Sequence, residues 1–378
     1  MTPAGRTACA LLLTLLALPA AADARQAEPE YTRYGTSWAT LGRPEPLTLT
    51  WGFTQYTDDL THAAQRNAVG NALASWAEVT DLTFVNCDPP TVDVRCVGQP
   101  DLRVQFDTDA AGHGPDSIPF DIEFDGFHGH AFYPPRSDRP GIEGDLHLND
   151  QFAWSTTGGF PDLESIALHE LGHALGLQHP DVASNGGGGD PGDPNICPST
   201  PSPTRPTMCG LTIGIDRELA PDDVRGIQAL YGLPDHLVDG LVRRSTDRAF
   251  LGNDVVNTTG QGQSVTFSRA RGQTAVFFVR FTNDGAMDDV IRITAPLPPA
   301  GFGYRYYVGT TRGTPAAGIN SAGYVTAPLQ PGAGVTIRVE VVVKDSAVRG
   351  RSQGLAVRGT SDGDATKVDV VRPVVRVT

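Results

Sequence analysis

Three histidines and one glutamate stand close together in the run HELGHALGLQH. His169 and His173 are four residues apart, so on a helix they lie on one face and can share a metal ion. Gly176 can adopt a positive φ that ends the helix and turns the chain, which would bring His179 to the same ion. Three neutral imidazoles suit Zn²⁺ and leave a fourth position for water, for which Glu170 would be the general base. The run predicts a catalytic zinc site, and its alternative is a chance coincidence on a surface helix.

The pattern HExxHxxGxxH, followed later by PTMCG, resembles the metzincin metallopeptidases. The segments LTLTWGFTQYTDDLTHAAQRNAVGNALASWAEVTDLTF, GHAFYPP, GIEGDLHLND and LAPDDVRGIQALYG are similar, in that order, to the matrixin branch, the matrix metalloproteinases. The resemblance covers about residues 45–234. It implies a zinc-dependent endopeptidase that hydrolyses extracellular proteins. It also implies a hydrophobic floor beneath the zinc at Met208, which would not be a ligand.

The substrate and the mechanism follow as expectations. A protein or peptide substrate would bind as an extended strand along the sheet edge near Gly129 to Phe132, because an open edge offers main-chain hydrogen bonds. Glu170 would accept a proton from the attacking water and pass it to the leaving amine, while the zinc polarises the scissile carbonyl. The competing function is that of a non-enzymatic adhesion or binding protein that keeps the peptidase fold as a scaffold.

A second set of candidate metal ligands precedes the catalytic motif. In matrixins a structural zinc is bound by a His-x-Asp pair and two later histidines, and GHAFYPP and GDLHLND supply His130 and His147. His113 and Asp116 in HGPD would complete the set, although their spacing is one residue longer than in the family and His128 stands nearby as a substitute. The resemblance implies a closed structural zinc site, and surface histidines are the alternative.

Calcium is a further implication of the resemblance, because hard cations prefer oxygen ligands. Asp121 corresponds to the start of one family calcium site, but Asn149 and Phe152 stand where that site expects acidic ligands. A different site is matched more completely, and its glycine and glutamate positions would contribute main-chain carbonyls. The residues that correspond to this site are Asp101, Gly141, Glu143 and Asp145.

The four cysteines beyond residue 24 form two close pairs, Cys87 with Cys96 and Cys197 with Cys209. This spacing predicts two short-range disulfides, and thiol ligands to zinc are the competing interpretation, which no CxxC spacing supports. RCVGQPD around Cys96 is similar to the cysteine switch of matrix metalloproteinase propeptides. The switch precedes the catalytic domain in that family, whereas Cys96 follows the first predicted helix, so we predict no such role for it.

The N-terminal 24 residues have the pattern of a secretory signal peptide, with Arg6, an apolar stretch from Ala8 to Leu18 and the run Ala22-Asp23-Ala24. The apolar stretch is too short to span a bilayer. The formal net charge of -14 argues against nucleic acid or an anionic membrane as a partner. We therefore expect a secreted, extracellular protein that does not span a membrane.

The elements that position the candidate site follow from periodicity. LTLTWGF, LTFV and LRVQF predict strands, and helices are predicted over residues 60–79, 162–175 and 221–231. These elements predict an α/β or α+β domain over residues 45–235, after an N-terminal segment at 25–44. The resemblance adds a twisted, mostly parallel five-stranded mixed sheet of the metzincin type. The predicted sheet-facing positions of the first helix are Ala64, Ala68, Ala72, Leu73 and Trp76.

Residues 240–378 have a different composition, with alternating strands separated by Gly, Asn, Asp and Pro turns. The clearest are AVFFVRFTNDG, VIRITA, GVTIRVEVVV and KVDVVRPVVRV. Roughly seven such segments predict an all-β, immunoglobulin-like sandwich. The segment contains no Cys or His, so we expect no metal or thiol active site there. It is either a module that binds a surface or polymer or a stabilising spacer.

The insertion at residues 180–207 is the widest departure from the matrixin pattern. It is dominated by Gly, Pro, Asp and Ser, a composition that cannot form a packed core. In matrixins this region adjoins the specificity pocket. A lid or exosite and a tolerated surface insertion are both compatible with the sequence.

Overall fold

The structure is a computed structural model. It describes residues 31–41, 46–89, 93–108, 128–135, 142–180, 197–198, 205–210 and 214–378. The signal peptide predicted at residues 1–24 and most of the 180–207 insertion lie outside these residues. Within the described ranges, no helix has the length and apolar character needed to cross a membrane.

Among the described residues, the first part of the chain forms seven strands and three α-helices. Their bounds are β1 Thr32–Arg33, β2 Thr48–Gln55, α1 His62–Glu78, β3 Thr83–Asn86, β4 Leu102–Asp107, β5 Gly129–Ala131, β6 Leu146–Asn149, α2 Leu163–Ala174, β7 Leu177–Gln178 and α3 Pro221–Tyr231. The main sheet has the order β3-β2-β4-β6-β5. Its first four strands are parallel, and β5 is antiparallel to β6. The predicted five-stranded mixed sheet and the three helices are confirmed.

The buried face of helix α1 differs from its prediction at Ala64 and Gln65, and it also includes Val69, which was not predicted. Ala64 is only half-buried, whereas Gln65 is fully buried. The Gln65 side chain donates to the carbonyl oxygens of Thr57 and Leu60 at 2.8 Å each, and it accepts from the Thr57 amide. A buried amide is stable when its donors and acceptor are matched in this way, and apolar periodicity cannot indicate such a position.

Helices α1 and α2 pack against each other and against the sheet in one hydrophobic core. Trp76 of α1 is fully buried, and its indole nitrogen donates to the carbonyl of Leu168 in α2 at 3.1 Å. Gly172 allows this close approach, because a Cβ there would lie 3.1 Å from the Trp76 ring. The packing of α1 therefore sets the position of the helix that contains HELGH.

The start of α2 is held by a buried carboxylate. Asp162 is fully buried and caps the helix by accepting from the amide of Ser165 at 3.1 Å. The same carboxylate accepts from Arg217 Nε at 2.9 Å and from its Nη2. Burial raises the pKa of Asp162, but the hydrogen bonds from Arg217 and Ser165 outweigh it and hold this pKa below its ordinary value. An ionised cap is suited to the positive end of a helix dipole.

The second part of the chain is a β-sandwich with its own hydrophobic core. Its ten strands are β8 Val238–Arg244, β9 Ser264–Arg269, β10 Thr274–Asn283, β11 Ile291–Thr294, β12 Phe302–Val308, β13 Tyr324–Val325, β14 Gly334–Val343, β15 Ser352–Gly354, β16 Val357–Ser361 and β17 Val368–Val377. One sheet has the order β12-β14-β10-β8. The other has the order β13-β11-β16-β17-β15, and β9 also pairs with β17. The predicted sandwich is confirmed, with more strands than the roughly seven expected.

A buried lysine joins the sandwich to the first part of the chain. Lys367 is 8% exposed, and its ammonium donates to the carbonyl oxygens of Ala77 and Glu78 at 2.7 Å each. The amide of Val368 donates to Glu78 Oε1 at 3.1 Å. These carbonyls belong to the last turn of α1, where a helix lacks internal donors and attracts positive charge. The sandwich therefore caps the helix that packs behind α2.

We expect Asp162→Ala to lower the free energy of unfolding of the first part by about 2–4 kcal/mol, because the helix cap is lost and Arg217 loses its partner. Urea unfolding followed by tryptophan fluorescence measures this directly, because Trp38, Trp51, Trp76 and Trp154 all lie in this part.

The matched control is Glu164→Ala, in the first turn of the same helix. Glu164 lies 3.5 Å from Arg217 Nη1 and is more exposed, so its loss is expected to cost less than about 1 kcal/mol. Equal effects of the two substitutions would contradict the role given to Asp162.

Candidate metal centre and active site

Helix α2 is buried along nearly its whole length, so its position is fixed by packing on every side. Its C-terminal carbonyls are satisfied by side chains from distant segments. Trp38 Nε1 donates to Ala174 O at 2.9 Å, and the Tyr231 hydroxyl donates to Leu175 O at 2.7 Å. Gly176 then adopts a φ of +108°, as its predicted turn requires, and the chain reverses into β7. These contacts determine where His179 lies relative to α2.

The imidazoles of His169, His173 and His179 converge on one point. His179 Nε2 lies 3.2 Å from His169 Nε2 and 3.0 Å from His173 Nε2. His169 Nδ1 lies 2.7 Å from the carbonyl oxygen of Thr207, and His173 Nδ1 lies 2.8 Å from that of Leu177. A carbonyl oxygen only accepts, so each Nδ1 carries the hydrogen and each Nε2 directs a lone pair inward.

This donor set fits a zinc ion. The three ligand nitrogens lie within 4.8 Å of one another, and zinc–nitrogen bonds of about 2.0–2.1 Å in a tetrahedron place two ligand nitrogens about 3.3 Å apart. The Nε2 lone pairs of His169 and His173 both face His179 Nε2, at 3.2 and 3.0 Å, so the three nitrogens could share one cation. Burial lowers the pKa of His169 to about 3 and that of His173 well below its ordinary value, so both stay neutral as ligands must be.

Glu170 follows the first of these histidines and lies in the same buried region. It is 6% exposed, and its Oε2 has no hydrogen-bond partner among the described residues. Burial raises its pKa to about 8. A cation held by the neighbouring histidines would lower this pKa again, because an opposite charge favours the carboxylate. A buried acceptor without a donor fits a site that receives water or a substrate.

Met208, the predicted floor of the site, packs against helix α2 at Gly172. It is 2% exposed, and a Cβ at Gly172 would collide with its sulfur, so the methionine fits against α2 only because residue 172 is glycine. Gly210 serves a similar purpose for the third histidine, since a Cβ there would lie 3.0 Å from His179 Nδ1. The turn through residues 207–210 thus packs on two sides of the cluster.

Asp223 positions this turn, a role that was not predicted from the sequence. The buried carboxylate accepts from the amides of Thr207 at 2.8 Å, Met208 at 3.2 Å and Ala220 at 2.9 Å. Because the carbonyl of Thr207 accepts from His169, the aspartate acts on the histidine through one peptide group. The only sequence signal was its place in LAPDDVRGIQALYG.

An aromatic pair borders the cluster on another side. Tyr34 stacks on Tyr133 with ring centroids 3.8 Å apart, and the ring of Tyr133 meets that of His173 edge-on at 5.6 Å. The amide of Tyr34 donates to Gly176 O at 2.9 Å, beside the pairing of β1 with β7. Burial raises the pKa of Tyr133 to about 12. The N-terminal segment therefore contributes to the wall of the site.

Part of the predicted structural zinc site lies within the described residues. His130 in β5 lies opposite His147 in β6, and their rings are 5.2 Å apart. His128, the predicted substitute, packs against Phe152 and Phe160. The two remaining predicted ligands, His113 and Asp116, lie outside the described residues.

The predicted calcium residues have protein partners where they are described. Asp101 Oδ2 accepts from the amide and hydroxyl of Thr50 at 2.8 and 2.9 Å. Asp145 receives two bonds from Arg103, with Nε at 2.6 Å from Oδ1. Glu143 lies in the turn before β6. The other predicted positions, Asp121 and Gly141, lie outside the described residues.

The predicted disulfides are both present. Cys87 is bonded to Cys96, and Cys197 is bonded to Cys209. Cys96 therefore has no free thiol with which to cap a metal. Cys209 directly follows Met208, so the second disulfide anchors the end of the 180–207 insertion beside the turn below the histidines. Thiol ligation of zinc by these cysteines is thereby excluded.

Comparison with known proteins agrees with this geometry. The sequence model of the matrixin family matches residues 42–185. Karilysin of Tannerella forsythia is 29% identical over 204 residues, which are 54% of this chain and 35% of karilysin. Stromelysin-3 of Rattus norvegicus is 34% identical over 193 residues, 51% of this chain and 32% of that protein. Interstitial collagenase of Oryctolagus cuniculus is 34% identical over 196 residues, 51% of this chain and 34% of that protein.

The chain spans about a third of the length of these relatives, and the matched family segment ends shortly after His179. The matched segment contains the five-stranded sheet, helix α2 and all three converging histidines, so sequence similarity and site geometry refer to the same part of the molecule. Over residues 42–185, which contain the mixed five-stranded sheet and the HExxHxxGxxH site, this chain therefore matches the matrixin family.

Proposed function

We propose that this protein is a secreted zinc-dependent endopeptidase that hydrolyses peptide bonds of extracellular proteins. The observation that carries the proposal is the convergence of three imidazoles at one point, next to a buried glutamate whose Oε2 has no hydrogen-bond donor among the described residues. His169, His173 and His179 would hold the catalytic zinc. A zinc ion there would polarise a peptide carbonyl and lower the pKa of water to about 7.

Glu170 is the proposed general base. Its buried carboxylate would take a proton from the attacking water, hold it away from solvent, and deliver it to the nitrogen of the leaving amine. Met208 would support the histidines from below without contacting the substrate. Thr207 and Leu177 would keep each imidazole in one tautomer through their carbonyl oxygens, as other groups behind metal ligands do.

The substrate would add as an extended strand along β5. Among the described strands β5 pairs only with β6, and a peptide would pair with its other edge. Gly129 brings this edge close to the base, because a Cβ there would lie 3.5 Å from Glu170 Cγ. Recognition through the main chain from Gly129 to Phe132 would tolerate many substrate sequences.

Export and the substrate class rest on the signal-peptide pattern and on the relatives. The name of interstitial collagenase gives collagen as the substrate of that protein. We propose an extracellular protein substrate here without assigning which one. The alternative, a non-enzymatic binding protein, would not require a glutamate next to the three histidines.

Replacing Glu170 with Gln is expected to lower kcat by at least about a thousandfold, because the amide cannot accept the proton of the attacking water. Turnover of a generic protein such as casein and the zinc content of the purified chain are measured together. We expect the zinc content to stay unchanged, because the three histidines are untouched.

Glu164→Gln is the matched control for this experiment, since it makes the same chemical change six residues earlier in α2. Full activity is expected for this variant. Appreciable turnover by the Glu170→Gln protein with its zinc bound would remove Glu170 from the mechanism.

Removal of the metal distinguishes an enzyme from a scaffold. Incubation with phenanthroline is expected to abolish casein cleavage, and added Zn²⁺ is expected to restore it, because the histidines alone cannot polarise a carbonyl. Cleavage that persists after the zinc has been removed would refute the proposed mechanism. Absence of any cleavage by the zinc-loaded chain would favour the binding protein.

We further propose a structural zinc held by His113, Asp116, His130 and His147, and one calcium ion bound through the carbonyl oxygens of Gly141 and Glu143 together with Asp101 and Asp145. The cross-strand pair of His130 and His147 supports the former. To bind the calcium ion, Asp101 and Asp145 would use carboxylate oxygens that also accept from Thr50 and Arg103. Asp121 would belong to a further calcium site.

Zinc stoichiometry tests the structural site. Plasma mass spectrometry of the dialysed full-length chain is expected to find two zinc ions per molecule. His130→Gln and His173→Gln are each expected to retain one, and only the His130→Gln protein is expected to keep some peptidase activity. A single zinc in the unmodified chain, lost with His173→Gln alone, would disprove the structural site.

A further inference from the structure

The two parts of the chain have net charges of opposite sign. Residues 238–378 contain 17 basic and 11 acidic side chains, and residues 1–237 contain 12 basic and 32 acidic ones. The whole negative excess therefore belongs to the first part. The sandwich itself is a positively charged domain, and its interactions have to be considered separately.

One end of the sandwich, here named the distal end, lies opposite the junction with the first part. The chain enters at Val238 and leaves β8 at Arg244, which lies opposite Phe277 near the start of β10. The ends of β9, β14 and β17 and the starts of β12 and β15 meet at the same end, as their pairing shows. The distal end consists of residues 243–250, 269–274, 294–302, 343–352 and 376–378.

Basic side chains are concentrated at the distal end. Its residues include nine basic and two acidic side chains. The two acids are Asp247, which is paired with Arg244 at 2.8 Å, and Asp345. The exposed basic residues are Arg244, Arg248, Arg271, Lys344, Arg349, Arg351 and Arg376. The junction end has the opposite character, with the aspartates Asp239, Asp254, Asp284, Asp288, Asp289, Asp362 and Asp364.

Two apolar side chains project from the same end. Leu297 is 72% exposed and Val348 is 61% exposed. Their loops touch each other, because the amide of Lys344 donates to Gly301 O at 3.0 Å. Exposed aliphatic groups gain free energy only by leaving water, and a polar polymer does not offer them an apolar environment. Basic and apolar side chains together are typical of surfaces that bind at a lipid interface.

We propose that the distal end docks onto an anionic lipid surface. Leu297 and Val348 would enter the boundary between headgroups and acyl chains, while the arginines and Lys344 contact the phosphates. Strand β10 has ten residues, so the sandwich is about 30 Å long and separates this end from the acidic first part by more than the Debye length of about 8 Å. The net charge of -14 therefore does not prevent such binding.

The contacts at the junction leave the distal end directed away from the catalytic domain. Lys367 of the sandwich donates to the end of α1. Asp254 of the sandwich lies 3.6 Å from Arg225 of α3. Lys367 and Asp254 both belong to the acidic end of the sandwich. Docking through the distal end would thus present the catalytic domain to proteins near the lipid surface. The proposal does not depend on peptidase activity, since the binding assay measures no turnover.

Co-sedimentation of the full-length chain with vesicles tests the proposal. We expect binding to phosphatidylcholine vesicles that contain phosphatidylglycerol, none to pure phosphatidylcholine, and weakening by added salt. The double variant Lys344→Glu and Arg349→Glu is expected to bind at least about tenfold more weakly. The control pair Arg305→Glu and Arg372→Glu, exposed residues on β12 and β17, makes the same charge change away from the loops and is expected to change binding less than about twofold.

A second variant separates a lipid surface from a soluble polyanion. Leu297→Ser with Val348→Ser is expected to weaken vesicle binding at least about fivefold and to leave retention on a heparin column unchanged, because only the apolar contribution is removed. Unchanged vesicle binding by this variant would overturn the proposal. Retention on heparin without any binding to phosphatidylglycerol vesicles would overturn it too, in favour of an acidic polysaccharide. Equal thermal midpoints of all variants verify that each is folded.

Discussion

The arrangement of the first domain depends on the confinement of three imidazoles in a buried space. Two of them use Nδ1 to donate to main-chain carbonyls, and this leaves the Nε2 lone pairs of His169 and His173 directed toward His179. These nitrogens can share one cation only while the surrounding backbone holds them in place. The surrounding structure supplies this rigidity. Helix α2 is buried, Asp162 caps its start, and Trp38 and Tyr231 bind its last carbonyls.

Residues outside the HExxHxxGxxH motif also hold the histidines in place through hydrogen bonds. Asp223 holds the turn that contains Met208, and the carbonyl of Thr207 in that turn orients His169. Behind α2, Trp76 joins it to α1, and Lys367 of the sandwich caps α1 in turn. The β-sandwich therefore contacts the active-site helix α2 indirectly, through α1. This contact is separate from the proposed binding at its distal end. One domain can both stabilise the first part and bind a surface, because the stabilising contact lies at the junction and the proposed binding surface lies at the distal end.

Much of the fold could be predicted because its elements have strong local signals. The helix at Pro221–Tyr231 matches its predicted bounds, and Asp162 and Gly176 stand at the ends of α2 as capping rules require. The exception in α1 is Gln65, whose burial depends on partners in a preceding loop. Asp145 is a similar case. Its carboxylate has the chemistry of a calcium ligand, but its pairing with Arg103 depends on strands that are distant in sequence.

The sequence alone determined the chemistry of the candidate site and the class of both folds, because residue types at short, fixed spacings and the periodicity of apolar residues are local properties. It also determined the pairing of the cysteines, since each pair is separated by few residues. Only the tertiary structure decided which groups orient the histidines, which side chains form the wall beside His173, and that the basic residues of the sandwich share one end. These features join residues that are tens to hundreds of positions apart, and no local pattern records which strands and loops will meet.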